Sequence, residues 1–373
     1  MGEASSSAPH DRKERKQMIK TAMRTVGTTS LCLAFAAVAV LSALADSAEA
    51  TRTTGGKKAE RIVFASDRTS GRGTDNPEGD LEIFAMNSQG KKLEQLTSNA
   101  VDDFDPAFSS DGKISFVSQN VQTSNPEGDS EVYLMNPDGS DPRNLTNTSG
   151  AVSDQDPHFS PDGQQIAFTS FGKQPSNAEG DFEVYLMNAD GSGQRNLTNN
   201  ADLSEFASDF SSDGREIAFS SFGVQPSNPE GDFEIYLMDT DGAERRNLTN
   251  TAGDISDFDA TLSPDGQMVA YVSAGVQSSN PEGDNEIYTI NADGAGRKNL
   301  TNTASSVQDE FPDFSSHGRE IAFTSYGAQP SNPEGDAEVY VMNALDGTDQ
   351  RNLSRTGSDV SDVQPGFETA VST

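Results

Sequence analysis

Apolar residues after position 60 fall into short runs that recur in the same order along the chain. One unit, residues 208–249, reads SDFSSDGREIAFSSFGVQPSNPEGDFEIYLMDTDGAERRNLT. β-branched and aromatic residues dominate the runs and Asp-Gly turns separate them, which is typical of strands joined by tight hairpins. Each unit therefore predicts four short strands. No 3.6-residue apolar period follows residue 50, so we expect little or no helix.

The repeat is marked by the tripeptide Glu-Gly-Asp, which begins at Glu78, Glu127, Glu179, Glu230, Glu282 and Glu334. The third strand of each unit follows this tripeptide directly and is apolar at nearly every position, as in residues 183–188. A strand of this kind is covered on both faces, as happens when small sheets stack as blades around an axis. The pattern predicts six such blades.

The two ends of the repeat region predict how the blades are arranged. Residues 61–64 form a second strand with no first strand before it, and residues 363–368 form a first strand with no second strand after it. The predicted fold is therefore all-β: a six-bladed β-propeller with four antiparallel strands per blade, closed by the C-terminal strand joining the N-terminal blade. Closure removes exposed sheet edges. The alternative, an open solenoid, would need capping repeats.

Residues 1–50 differ from the rest of the chain. A basic stretch precedes the apolar run LCLAFAAVAVLSAL at 31–44, and small residues follow it. This order predicts a signal peptide over 1–50, a linker over 51–60 and the propeller over 61–373. The alternative is a retained membrane anchor, although a span needs about 20 residues. The single cysteine, Cys32, lies in this segment, so the cleaved chain would have no disulfide or thiol nucleophile.

The net charge of −33 changes what the propeller can bind. So negative a surface repels nucleic acids and anionic lipid headgroups and attracts basic proteins and metal cations. We therefore expect no nucleic-acid partner and, after cleavage of the leader, no membrane span.

The repeat resembles the TolB-type propeller family, a WD-repeat-like group. The residues that carry the likeness are the turn 160–163 (SPDG), the strand 166–168 (IAF), the segment 183–188 (EVYLMN) and the triplet 196–198 (NLT). The resemblance implies a protein-binding propeller in a bacterial envelope, so we expect a secreted, periplasmic or cell-surface monomer. Family members with an added α/β domain bind a peptidoglycan-associated lipoprotein. The short segment before residue 61 and the longer loops of this chain argue against that role.

Acidic residues are concentrated in the loops from the second to the third strand and from the fourth to the first, which are expected at one end of the ring. The first set offers candidate calcium ligands, because calcium binds six to eight oxygens: Asp80, Asp129, Asp181, Asp232, Asp284 and Asp336. The second set is expected on the same rim: Asp102, Asp103, Asp105, Asp154, Asp156, Glu205, Asp209, Asp254, Asp257, Asp259, Asp309, Glu310, Asp313, Asp359 and Asp362. The alternative for the repeated Asn-Pro-Glu-Gly-Asp is a structural turn on a solvated rim. Calcium is the one candidate cofactor.

The sequence favours a non-enzymatic module that binds a protein or an envelope component, with a basic partner suited to its charge. The expected binding rim comprises Glu78, Glu127, Glu179, Glu230, Glu282, Glu334 and the loop aromatics Phe171, Phe222 and Tyr326. No nucleophile elbow or phosphate-binding loop occurs, and near-identical blades argue against one asymmetric active site. Two alternatives stay open: a calcium-binding propeller with hydrolase, lyase or carbohydrate-binding activity at its central channel, and a structural component of the envelope.

Overall fold

The computed structural model describes residues 60–71, 74–148, 152–303, 307–357 and 360–368. Within these ranges the chain forms six four-stranded antiparallel sheets and no helix. The predicted six-bladed propeller is therefore confirmed. A helix with the length and apolarity of a membrane span is likewise absent from these ranges. The predicted signal peptide lies outside the described residues.

The strands follow one order in every blade, from the first strand at the axis to the fourth at the outer edge. Blade 1 contains β1 (Arg61–Ser66), β2 (Glu82–Asn87), β3 (Glu94–Gln95) and β24 (Asp362–Phe367). Blade 2 contains β4 (Asp103–Phe108), β5 (Ile114–Ser118), β6 (Glu131–Met135) and β7 (Arg143–Asn144). Blade 3 contains β8 (Ser153–Phe159), β9 (Gln165–Phe171), β10 (Phe182–Asn188) and β11 (Arg195–Asn196).

Blades 4 to 6 repeat this arrangement. Blade 4 contains β12 (Ser204–Phe210), β13 (Glu216–Phe222), β14 (Phe233–Asp239) and β15 (Arg246–Asn247). Blade 5 contains β16 (Ser256–Leu262), β17 (Met268–Ala274), β18 (Glu286–Asn291) and β19 (Lys298–Asn299). Blade 6 contains β20 (Gln308–Phe314), β21 (Glu320–Tyr326), β22 (Glu338–Asn343) and β23 (Arg351–Asn352).

The ring closes through the pairing of β24 with β1. These strands are antiparallel, with Ile62 opposite Phe367 and Ser66 opposite Asp362. β24 therefore supplies the first strand of blade 1, as the sequence predicts.

The hydrophobic core lies between successive blades. Between blades 2 and 3, Val132 and Leu134 of β6 belong to one cluster with Phe159 of β8, Phe168 of β9 and Tyr185 of β10. All five residues of β6 are buried, because the neighbouring blades cover both faces of each central strand. This explains why the third strands are apolar almost throughout.

Backbone contacts also join the blades. Gly139, in the turn between β6 and β7, has φ 81°, and a Cβ built there would lie 2.2 Å from the carbonyl oxygen of Leu96 in blade 1. Only a residue without a side chain allows the two backbones to approach so closely. Four further glycines make the same approach to the preceding blade: Gly90, Gly191, Gly242 and Gly347.

Candidate functional site: the acidic loop face and the axial channel

The loop between the second and third strands is a turn held by one asparagine. In blade 2 the Asn125 side-chain amide donates to the carbonyl oxygen of Asp129 at 2.6 Å, and its Oδ1 accepts from the amide of Gly128 at 3.0 Å. The turn interpretation of Asn-Pro-Glu-Gly-Asp is therefore supported, and the side chain that caps it is Asn rather than Asp. The same pair of bonds is made by Asn76, Asn177, Asn228, Asn280 and Asn332.

The predicted rim residues lie on this loop. The six glutamates are exposed: Glu78, Glu127, Glu179, Glu230, Glu282 and Glu334. The aspartates two residues later are more enclosed, and Asp284 is 7% exposed. Within the described ranges, no three His, Cys, Asp or Glu side chains are arranged to hold a metal ion. Calcium binding by these aspartates therefore stays a prediction.

Much of the second acidic set lies inside the protein, so its placement on the rim was wrong. The acid that is the first or second residue of each first strand is at most 1% exposed: Asp103, Asp154, Glu205, Asp257, Asp309 and Asp362. The connection from the fourth strand crosses the end of the preceding blade, where the amide of Asp154 donates to the carbonyl oxygen of Ser130 at 2.8 Å. This backbone bond holds the acid in the blade interface. Asp102 and Asp254 stay nearer the surface, and Asp359 lies outside the described residues.

Each blade interface also contains a buried glutamate that the sequence analysis missed. Glu131, the first residue of β6, accepts hydrogen bonds from the hydroxyl of Thr146 and from the amide of Thr148, the latter at 2.7 Å. The pKa of Glu131 is raised to about 7, mainly by burial and also by the charge of Asp154, while the hydrogen bonds from Thr146 and Thr148 lower it. The signal was available, since a glutamate is the first or second residue of the apolar third strand in every unit, and a Thr or Ser lies two residues after every fourth strand.

Other acids of the second set line an axial cavity of about 340 Å³. Asp105, Asp156 and Asp259 occupy the same position in their blades, at a β-bulge with φ near 50°. Burial raises the pKa of Asp105, and the neighbouring charge of Asp156 raises it further. In blade 1 the equivalent residue is Gln364, whose amide donates to Asp105 Oδ1. Blade 4 has Ala207 and blade 6 has Phe311 at this position, so three of the six blades carry an aspartate there.

Asp313, which also lines the cavity, makes stability depend on pH. Its Oδ2 accepts from the amide of Phe367 at 2.6 Å, and burial raises its pKa from 3.8 to about 7. Protonation thus favours the folded protein: this contribution is fully present below about pH 4 and is lost as the pH rises through about 7. Because Asp313 keeps part of its surface exposed, solvent screening reduces the cost of charging it, and we expect Asp313→Asn to raise the free energy of unfolding by only about 1–2 kcal/mol at pH 8.

The same variant should change stability much less at pH 4, where the carboxyl group of Asp313 is protonated in the folded state and still partly protonated in the unfolded state. Urea unfolding of both proteins at the two pH values measures the difference. An effect of equal size at pH 4 and pH 8 would contradict the assignment to this carboxyl group.

Phenylalanine side chains form a continuous row of contacts across blades 3 to 5, at the base of the acidic loops. The rings of Phe171 and Phe182 are 4.3 Å apart between centroids, and Phe182 contacts Phe206 of the next blade at 4.8 Å. Phe233 continues the row, 5.8 Å from Phe206. All members except Phe182 keep part of their surface exposed. We call this set the phenylalanine row; it consists of Phe171, Phe182, Phe206, Phe222, Phe233 and Phe258.

Comparison with known proteins identifies the repeat. Residues 117–274 match the family described as the TolB beta propeller domain. Over these residues the match confirms the resemblance of the repeats to the TolB-type propeller family. A protein named as a TolB homolog in Chlorobium chlorochromatii is 32% identical over 30% of this chain and 32% of its own length. An uncharacterized protein of Agrobacterium fabrum is 27% identical over 54% of this chain and 61% of its own length.

The chain thus spans less than two thirds of the length of these two curated relatives. The crystal structure of TolB from Acinetobacter baumannii matches with a TM-score of 0.60 at 20% identity, over 83% of this chain and 66% of that one. At this identity the likeness shows the fold alone.

The ring of six blades brings some of the predicted site residues together and separates others. Phe171 and Phe222 join the phenylalanine row beside the acidic loops. Tyr326 belongs to blade 6, outside the row, and its hydroxyl donates to Glu310 Oε1 at 2.8 Å. The sequence did not single out Phe206 and Phe258, because they come from the first strands of the following blades.

Proposed function

We propose that this chain is a non-enzymatic propeller of the bacterial envelope, secreted or periplasmic, that binds a basic polypeptide on its acidic loop face. The observation that carries the proposal is the phenylalanine row. It is confined to three of the six blades, so it gives an otherwise repetitive face one distinct apolar patch. Partly exposed aromatic side chains of this kind often anchor a protein partner.

The charge around the row specifies the partner. Exposed glutamates stand on the same loops, with Glu179 between Phe171 and Phe182 and Glu230 between Phe222 and Phe233. Lysine and arginine side chains of the partner would meet these carboxylates while an aromatic or aliphatic side chain packs on the row. The electrostatic part of this binding weakens as salt screens the charges.

The test measures fluorescence anisotropy of three labelled peptides: one with Lys, Arg and Phe, one in which Ser replaces Phe, and one with Asp and Glu in place of the basic residues. We expect the first peptide to bind most tightly, and its affinity to fall with added salt. Phe222→Ala should weaken it by roughly tenfold, the size expected for loss of an aromatic anchor. The matched control is Leu345→Ala, which truncates a side chain that is 74% exposed in the turn between β22 and β23, at the other end of the ring.

Equal binding of the three peptides, or equal affinities of the Phe222→Ala and Leu345→Ala variants, would refute the docking function. Saturable binding of an oligosaccharide that Asp156→Asn abolishes would instead favour the alternative of a carbohydrate-binding or catalytic channel.

A further inference from the structure

A carboxylate and a serine hydroxyl face each other across the first two strands of every blade. In blade 5 the pair is Asp257 and Ser273, and in blade 1 it is Asp362 and Ser66. The register is the same in the remaining blades, where the pairs are Asp103–Ser118, Asp154–Ser170, Glu205–Ser221 and Asp309–Ser325. The six carboxylates are buried, so each needs a positive group or a proton nearby.

Blade 5 supplies this positive group itself. Arg297 donates from Nη2 to Asp257 Oδ1 at 3.0 Å and from Nη1 to Asp257 Oδ2 at 3.1 Å, and Nη2 also donates to Ser273 Oγ at 2.6 Å. Its guanidinium carbon lies 5.6 and 5.0 Å from the ring centroids of Tyr271 and Tyr288. The arginine therefore bridges both members of the pair.

In blade 1 an arginine from a different segment bridges the carboxylate and the serine hydroxyl in the same way. Arg68 Nη2 donates to Asp362 Oδ1 at 2.5 Å, and its Nε donates to Ser66 Oγ at 2.8 Å. The guanidinium lies over the rings of Phe64 and Phe84. Arg68 and Arg297 come from non-equivalent positions in their units. What the two blades share is therefore the location of the guanidinium group, beside the buried carboxylate and the serine hydroxyl.

Blade 4 is intermediate. Arg245, at the position equivalent to Arg297, donates to the carbonyl oxygens of Leu197 and Thr198, both at 2.8 Å. It does not bond to Glu205, but its charge lowers the pKa of that carboxyl against the larger effect of burial.

The other three blades have no arginine at this place. The residues equivalent to Arg297 are Pro142, Gln194 and Gln350. Among the described residues, no ion pair involves Asp103, Asp154 or Asp309.

The carboxylates of these three blades have oxygens without hydrogen bonds. Neither carboxylate oxygen of Asp154 has a partner at hydrogen-bonding geometry, nor does Oδ1 of Asp103 or of Asp309. The hydroxyls of Ser170 and Thr146 lie close enough to Asp154 to lower its pKa, yet burial raises that pKa to about 7.

Each of these carboxylates also has acidic neighbours from the preceding blade. At the interface of blades 2 and 3, the charge of Asp129 raises the pKa of both Asp154 and Glu131. Asp129 is only partly buried and lies next to the exposed Glu127. It therefore connects the buried carboxylate with the acidic loop face.

We propose that the interfaces at Asp103, Asp154 and Asp309 each bind a calcium-type divalent cation at the place where blades 1 and 5 carry an arginine. The donors are carboxylate and hydroxyl oxygens, which hard cations prefer, and calcium accepts irregular shells completed by water. Water is needed, since the described residues contain no preformed set of three acidic ligands. The aspartates of the Glu-Gly-Asp loops take part only as the outer acids of these three sites. The inference does not depend on the docking function.

Calcium titration by calorimetry and thermal unfolding test the proposal on the full chain. We expect three saturable sites in the wild type and a melting temperature several degrees higher in millimolar calcium than in chelator. Gln194→Arg places a guanidinium where Arg297 stands in blade 5. This variant should lower the stoichiometry from three to two and should raise the melting temperature in chelator.

The matched control is Gln164→Arg, which adds the same charge at an exposed turn of the same blade. It should leave both the stoichiometry and the melting temperature in chelator unchanged. The proposal is overturned if no saturable calcium binds, or if Gln194→Arg binds as many ions as the wild type. Equal loss of calcium in the two arginine variants would mean that surface acids bind the ion, and would overturn it as well.

Discussion

Replacing Phe367 with alanine should lower the free energy of unfolding by about 3–5 kcal/mol, the usual cost of removing a large side chain from a packed core. Phe367 is 3% exposed and packs with Ile62 of β1 and with residues of blade 6 such as Val341. The variant therefore weakens both the closing strand pair and the contact between the last and first blades. Urea unfolding followed by circular dichroism measures the loss.

Leu345→Ala is the control for this prediction. It removes an apolar side chain that is 74% exposed and should change stability by less than about 0.5 kcal/mol. Hydrogen exchange adds a local measurement, since amides of β1 should exchange faster in Phe367→Ala than those of β9 in blade 3. A cost as small as that of Leu345→Ala would show that β24 does not hold the ring together.

Gly139→Ala should cost about 2–4 kcal/mol. The added methyl group meets the carbonyl oxygen of Leu96, and the positive φ of 81° is itself unfavourable for alanine. The clash is with backbone, so it can be relieved only if blades 1 and 2 move apart. Thermal and urea unfolding of the variant measure the effect.

Gly112→Ala separates the clash from the backbone preference. Gly112 has φ 85°, but nothing lies within 4 Å of a Cβ built there. This variant should cost only about 1 kcal/mol, the preference for glycine alone. Equal losses for the two variants would indicate that close packing between blades contributes nothing at Gly139.

The number of blades and the ring closure follow from the sequence, because short apolar runs and fixed turns repeat through the chain and its two ends supply complementary strands. The orientation of the first-strand acids does not follow from it. Asp103 and Asp105 are two residues apart, and strict alternation would give them the same environment. A β-bulge with positive φ at Asp105 breaks the alternation, so Asp103 is buried between blades while Asp105 lines the channel.

The candidate docking surface could be predicted from the sequence only in part. Phe171 and Phe222 interrupt a loop that is otherwise similar from unit to unit, which is why the sequence indicated them. The phenylalanine row also needs Phe206 and Phe258, whose places depend on how one blade meets the next. Distances between blades are tertiary information, and a repeat read one unit at a time does not contain them. The arginines that neutralise buried acids were missed for the same reason.

The closing strand, β24, differs from the other five first strands at one position in contact with the next blade. Gly366 lies where the others carry Ala107, His158, Asp209, Thr261 or Asp313, and a Cβ on it would lie 2.9 Å from the carbonyl oxygen of Pro106. A chain of near-identical units risks misthreaded rings, in which the wrong strand completes a blade. Any of the other five strands would bring a side chain against blade 2, so this single glycine favours the terminal strand over those five as the partner of β1.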